Sequence, residues 1–420
     1  MPRLSSLVQG LSAETAFTVL ALARALKARG KDVVELEIGD SPFPSTPHAK
    51  RAGIRAIEEN ETGYCPSLGL PEFRAAAARA VSAEFGYSVA AENIVVGSGA
   101  KPFEQFFAEA ALDADDGVLV FSPQFPTYLP NIERRGARAV LAPLKVENEF
   151  RPTAEDVARF LATDRRPRAI FLNSPHNPTG GVATRADLGA IADVVRGSEL
   201  LVFSDEPYCH MVWSGKHASI LAEPGMLDHT VAAYTFSKSY SMSGWRIGFA
   251  VAAPALVNAI GTLINTTASC SPPLAQRAAQ AALEHDRETR DDYMERFRRK
   301  VERLCAGLEQ ISEFRVVRPV GTFYVFPDVR AVCNRLRITS HGLALYLLEG
   351  ADDDFGVACL GGECFGAAGQ GFLRFSCAEP DERIDQAMEF LPTAIGRVDR
   401  VRQYLVANPQ FVLDQPYKMS

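Results

Sequence analysis

Hydrophobic positions along this chain fall into two rhythms. Over 13–29, apolar residues recur every three or four positions, the spacing of an amphipathic helix, and Gly30 supplies its stop. Val33–Ile38 then reads as a short strand, and Gly39–Pro47 as a turn-rich loop. Two helices follow, over Ala49–Glu59 and Pro71–Phe85, the second Ala-rich and opened by proline, which suits a first helical position. From there short continuous apolar runs take over: Ile94–Gly97, Val118–Phe121, Ala169–Leu172, Leu200–Ser204 and Val231–Phe236. Each is bounded by turn residues, and most are separated by helical stretches. Runs that are apolar on both faces predict buried strands of a mostly parallel sheet covered by helices on both sides. Farther on, the pattern predicts helices over Leu256–Thr262 and Leu274–Lys300, strands at Phe314–Arg318 and Thr322–Phe326, a helix around Leu343–Glu349, a strand at Gly371–Cys377 and helix again over Pro380–Val406. The expected fold is α/β: a large sheet domain over 51–290, and a smaller α+β domain formed by both chain ends, 1–50 and 291–420.

Composition agrees with that size and narrows the function. A chain of 420 residues, 47% hydrophobic, is too long for one compact core to be the default. Its 44 basic and 51 acidic residues are mixed, with a net charge of −7, so no nucleic-acid surface is expected. The densest basic cluster, Arg296–Lys300, reads as solvated helix. No window approaches the roughly 20 apolar residues of a membrane span, and no signal-peptide pattern opens the chain. Eight cysteines without a Cys-x-x-Cys pair argue against a zinc ribbon or a dithiol redox site. No metal is expected, and scattered thiols suit a reducing, cytoplasmic setting.

The polar clusters are informative by position. Ser98–Lys101 follows the first of the apolar runs, Ser122–Tyr128 the second, Asn173–Gly180 the third, Asp205–Tyr208 the fourth, and Ser237–Ser239 the fifth, with Arg246 close behind. In an open parallel sheet, ligands bind at the carboxyl ends of the strands, so these clusters converge on one crevice. Ser98-Gly-Ala-Lys101 at a helix start offers free backbone N–H groups to a phosphate, and Thr235, Ser237 and Arg246 can complete the cradle. Asp205 at a buried strand end requires a cation or a strong donor. Lys238, near Arg246 and partly buried, is set to lose its proton and act as a nucleophilic amine. Taken singly, Ser-Lys-Ser is a surface tripeptide and Asn-Pro-Thr-Gly a turn. Their order, and their common place at strand ends, is what carries the reading.

Together these motifs resemble the pyridoxal-phosphate aminotransferases of fold type I, class I/II, most of all the aspartate aminotransferase-like group. The resemblance runs from Ala13 to about Pro392, on Tyr64-x-Pro-x-x-Gly69, Asn177-Pro-Thr-Gly180, Asp205-x-x-Tyr208, Ser237-Lys238 with Arg246, and Gly371-x-x-Arg374-x-Ser376. It implies a seven-stranded, mostly parallel sheet in the large domain. It implies that Lys238 holds pyridoxal 5′-phosphate as a Schiff base and later shuttles a proton. Asp205 then pairs with the pyridine nitrogen, Asn177 and Tyr208 with the phenolic oxygen, and Phe125 lies over the ring. Gly99, Ala100, Lys101, Thr235, Ser237 and Arg246 hold the phosphate. Tyr64 reaches the neighbouring subunit's site in a homodimer, and Arg374 grips the substrate α-carboxylate beside Asn177 and the backbone of Gly39.

The implied reaction is transamination between an L-amino acid and a 2-oxo acid, with 2-oxoglutarate the expected acceptor. Alternatives are a β-eliminating carbon–sulfur lyase, a non-catalytic regulatory module and a cofactor-binding protein without activity. Departures from the family pattern at Asp40–Phe43, His176 and Gly361–Gly362, together with Phe125 as the ring-stacking residue, are expected near the substrate pocket. No second arginine for a distal carboxylate stands out. Asn408–Ser420 extends past the family's usual end, as a disordered tail or an arm across a dimer.

Overall fold

The computed structural model describes Leu4, Ser5, Val8 and residues 14–419; Ala13 and Ser420, at the ends of two expected segments, lie outside the described residues. Twelve strands are described: β1 (Asp32–Glu35), β2 (Ile94–Gly97), β3 (Gly117–Ser122), β4 (Arg138–Pro143), β5 (Pro167–Asn173), β6 (Leu201–Asp205), β7 (Thr230–Thr235), β8 (Gly248–Val251), β9 (Tyr324–Val325), β10 (Phe355–Ala358), β11 (Leu360–Gly361) and β12 (Leu373–Ser376).

Seven of them form the central sheet, in the order β2-β8-β7-β6-β5-β3-β4. Within it only β8 runs against its neighbours. The five apolar runs of the sequence are all in this sheet. Two strands of this sheet had no sequence expectation. β4 is an edge strand with a largely half-exposed face, so it lacks a continuous apolar run, whereas β8 is as short and as buried as β2, and neither property explains why it went unseen. β8 is antiparallel because it returns directly from β7 through the loop 236–247, which leaves both ends of that loop at the same edge of the sheet.

The remaining strands form a pair, β1 with β10, and a trio, β11-β12-β9. The parallel β1–β10 pairing brings residue 32 beside residue 355, so the chain's first strand is completed by its C-terminal third. A core cluster around Leu36, Phe297, Phe323, Tyr346 and Leu391 fills the space behind these strands.

Four expectations are corrected. The helix expected over Leu274–Lys300 is two helices, Pro273–His285 and Arg287–Glu309, broken at Asp286. Its carboxylate accepts from the backbone N–H groups of His48 (3.1 Å) and Ala49 (3.0 Å), free donors in the first turn of helix Pro47–Glu58. The helical stretch expected over Pro380–Val406 divides at Arg397, whose guanidinium turns inward to the Ala351 carbonyl and the Asp352 carboxylate. Among the described residues, Phe314–Arg318 makes a single strand-like bridge, between Arg315 and Asp328. Residues 409–419 are not a loose tail, since they are tied to the chain's own small domain. Val412 bridges Ile338, the Tyr417 N–H donates to Asn334 Oδ1 (2.8 Å), and its hydroxyl donates to Glu363 (3.0 Å).

Candidate active site

The carboxyl ends of β5, β6 and β7, the loop 236–247 and the segment after β1 enclose a cleft of about 520 Å³. Register explains the convergence. Asn173 and Asp205 are paired neighbours on β5 and β6, and Thr235 pairs with Gly248 across the start of the β7–β8 return. Side chains at these strand ends therefore face one space.

Lys238 lies on the cleft wall, with Nζ donating to the Gly39 carbonyl at 2.5 Å. Burial lowers its pKa to about 8. The nearby charge of Asp40 opposes that shift, while Arg374, Arg246 and Lys101 reinforce it. Asp205 is buried and accepts from the Tyr128 hydroxyl at 2.6 Å. Burial raises its pKa despite that bond. Glu104, also buried on the cleft, is likewise raised by burial and by the charge of Asp205. Among the described residues no cation is hydrogen-bonded to either buried carboxyl group, a fit for a protonated ring nitrogen.

The opposite end suits an anion. Helix Lys101–Ala111 starts directly after Ser98-Gly-Ala, so its unpaired N–H groups open toward the cleft. Arg246 donates to the carbonyls of Ser243 (2.7 Å) and Ser98 (3.0 Å), which fixes its guanidinium beside that helix start. Gly99 has φ +92°, and a Cβ there would sit 2.7 Å from Arg246 Nη2, so the close approach requires glycine. Thr235 and Ser237 share a hydrogen bond of 2.9 Å on the same wall. The residues present therefore fit pyridoxal phosphate: an N–H cradle with arginine at one end, buried carboxyls at the other, and an amine between.

Arg374 on β12 completes the cleft. Its guanidinium donates to Asn177 Oδ1 (3.0 Å) and the Glu37 carbonyl (2.5 Å), and lies 4.2 Å from the ring centre of Tyr324. Tyr324 in turn shares a hydrogen bond of 3.1 Å with Tyr208. A Cβ on Gly39 would overlap the Tyr324 hydroxyl, so Gly39 is the only residue type that admits this tyrosine.

The structure thus brings together, on one cleft, Gly39, Ala100, Lys101, Phe125, Asn177, Asp205, Tyr208, Thr235, Ser237, Lys238, Arg246 and Arg374, with Gly99 immediately behind. Tyr64 does not join them; it is 91% exposed. The Lys101 side chain also differs from expectation, because its ammonium pairs with Glu14 at the start of the N-terminal helix. Of the departures expected at the substrate pocket, Asp40 and Phe125 line the cleft, while His176, Phe43 and Gly362 are elsewhere. His176 is buried against Thr179 (2.7 Å), and burial holds its pKa near 3. Phe43 stacks on Tyr293 under Arg296. Gly362 packs against the backbone of Gly369. Sequence reasoning missed Tyr324, Glu104 and Glu14 as cleft residues, and Tyr128 as the partner of Asp205 behind the cleft. Tyr128 had a usable clue at the end of a strand-end cluster, whereas Glu104 reads as an ordinary polar position of its helix.

A reactive lysine between an anion cradle and buried carboxyls, with an arginine for a carboxylate beyond, defines a cofactor enzyme that handles amino acids. The chain belongs to the aminotransferase class I and II family, whose family model matches residues 31–391. A probable aspartate/prephenate aminotransferase of Aquifex aeolicus is 34% identical over 94% of this chain and 99% of its own length. An arginine–pyruvate transaminase of Pseudomonas aeruginosa is 33% identical over 86% of this chain and 89% of its own. The solved aspartate aminotransferase of Thermus thermophilus with maleate superposes with a TM-score of 0.86 at 32% identity, covering 94% of this chain and all of that one. The protein is a pyridoxal-phosphate-dependent aminotransferase. These relatives are named for amino transfer, and the lyase alternative gains no support from them. Among the described residues, no helix is long and apolar enough to cross a membrane.

Proposed function

We propose that this cleft moves an amino group from an L-amino acid to a 2-oxo acid with Lys238 as covalent anchor and proton carrier. The observation that carries the assignment is the placement of Lys238 Nζ, Asp205 and Arg374 around one cleft. Pyridoxal phosphate, when bound, supplies an electron sink for the charge that develops at the substrate Cα. Gly99, Ala100, Thr235, Ser237, Arg246 and the backbone N–H of Lys101 would hold its phosphate, Asp205 its ring nitrogen, Asn177 and Tyr208 its phenolic oxygen, and Phe125 its face. Arg374 binds the α-carboxylate by two parallel hydrogen bonds, with Asn177 and Gly39 at its flanks, and so orients the Cα–H bond. Lys238, with its pKa lowered to about 8, takes and returns the Cα proton near neutral pH.

The test is a mass balance. Each donor consumed should yield one new amino acid from an added 2-oxo acid, with no ammonia. Turnover that releases ammonia and pyruvate without any 2-oxo acid would contradict transamination and favour the lyase.

Tyr64 supports an assembly of two chains with shared sites. An aromatic residue 91% exposed on the loop after helix Pro47–Glu58 serves no purpose in its own cleft, and it matches the family motif position that reaches across. Sedimentation at twice the chain mass is expected. A monomer that retains full activity would refute this role.

A further inference from the structure

Within the aminotransferase reading, on which this argument rests, most charges of the cleft are already committed. Lys238, Asp205 and Arg246 serve the cofactor, and Arg374 serves the α-carboxylate. Glu104 is buried and accepts from Thr127 and Asn131, and burial with the charge of Asp205 pushes its pKa upward. Three charged groups remain to meet the substrate side chain: Lys101, Glu14 and Asp40. The Lys101 ammonium is paired with the Glu14 carboxylate, whose side chain is only 15% exposed. Asp40 is exposed on the rim, and its charge is felt at Lys238. Among the described residues, these three groups therefore offer no unpaired cation to a second carboxylate, and Asp40 leaves them with a negative balance. Its other lining near this end is apolar: Ala16, Phe17, Ile38 and Phe125.

We propose that Glu14 is a specificity-determining residue: by holding Lys101 it closes the cleft to dicarboxylic substrates and leaves it to amino acids with uncharged, apolar side chains. A dicarboxylic donor must separate Lys101 from Glu14 and place its distal carboxylate near Asp40, against like charge. A leucine-like side chain instead packs on Phe17, Ile38 and Phe125 without disturbing the pair. The same space receives the 2-oxo acid in the second half of the reaction. The acceptor is therefore a monocarboxylic 2-oxo acid such as pyruvate, in place of the 2-oxoglutarate expected from the sequence.

The test is half-reaction kinetics of the holoenzyme with leucine and with aspartate, in the wild type and in Glu14→Gln. The wild type is expected to favour leucine by about tenfold or more in kcat/KM, and Glu14→Gln to shift the aspartate-to-leucine ratio toward aspartate by about tenfold. A wild type that prefers aspartate, or a ratio that does not move in the variant, overturns the proposal. Binding of non-reacting acids to the wild type gives a check independent of the variant's folding. 4-Methylpentanoate is expected to bind about tenfold more tightly than succinate, and equal or tighter succinate binding overturns the proposal. Equal reaction with both donors removes only the role of Glu14. Failure of every donor in a broad panel to react removes the aminotransferase reading itself.

Discussion

Lys238→Ala is expected to lower amino transfer by about 10⁴-fold or more, the upper range for loss of a positioned general base, and to release the cofactor from covalent attachment. The other lysine on the cleft, Lys101, is held by Glu14 and is not expected to substitute. The cradle at Gly99–Lys101 and Arg246 stays intact in the variant, so pyridoxal phosphate should still bind, without the visible absorbance of its lysine-bound form. A small primary amine added to the solution should restore part of the activity, since it replaces the missing base and not a fold element. Borohydride reduction of the wild type, followed by peptide mass mapping, should place the cofactor's mass on Lys238. The pH profile of cofactor capture by the cofactor-free protein belongs to the same prediction. Only the uncharged amine is nucleophilic. Burial, reinforced by Arg374, Arg246 and Lys101, brings the Lys238 pKa down from 10.5 to about 8 against the opposing pull of Asp40. Capture should therefore speed up by about tenfold per pH unit below about 8 and level off above it. A rate still climbing toward pH 10, or a variant with unchanged spectrum and activity, would remove Lys238 from this role.

The sequence displayed the parts of this protein that repeat a simple physical rule, and hid those that depend on a distant partner. β2, β3, β5, β6 and β7 are apolar on both faces because helices cover both sides, and such runs are visible without a structure. The clusters at their ends were visible for the same reason. β4 was hidden because an edge strand needs no second apolar face, and the break at Asp286 because its cause is the start of a helix more than two hundred residues earlier. In the cleft, Lys238, Asp205 and Arg246 were legible from local motifs. Tyr324 was not, since its importance comes from Gly39, whose missing side chain makes room for it. His176 and Phe43 show the converse failure. His176 adjoins Asn177 and Phe43 ends the loop segment that begins at Gly39, yet both point into packing, because nearby residues along a turning backbone face different ways.

Arg374→Ala is expected to cut kcat/KM for amino acids by about 10³-fold while leaving the cofactor's absorbance unchanged. Arg374 is only 4% exposed, and both hydrogen-bond acceptors of its guanidinium, Asn177 Oδ1 and the Glu37 carbonyl, are neutral. Its Nε has no hydrogen-bond partner among the described residues. A buried positive charge satisfied only by dipoles is prepared for a carboxylate, because ion pairing there gains more than it would in water. Removing one partner of such a pair costs about 3–5 kcal/mol, or about 10²–10³-fold and somewhat more at the upper end. Arg374→Lys should recover little of it. Lysine keeps the charge but loses the planar fork, and with it the two-point grip and the stacking on Tyr324 at 4.2 Å. The decisive control is a primary amine with no carboxylate. Its slow reaction with the wild type should be unaltered in Arg374→Ala, since the arginine has nothing to hold. Equal losses for the amine and the amino acid would show that Arg374 supports the fold of the cleft and does not bind the α-carboxylate. A selective loss ties the substrate's orientation to one side chain on β12, about which the rest of the donor must fit.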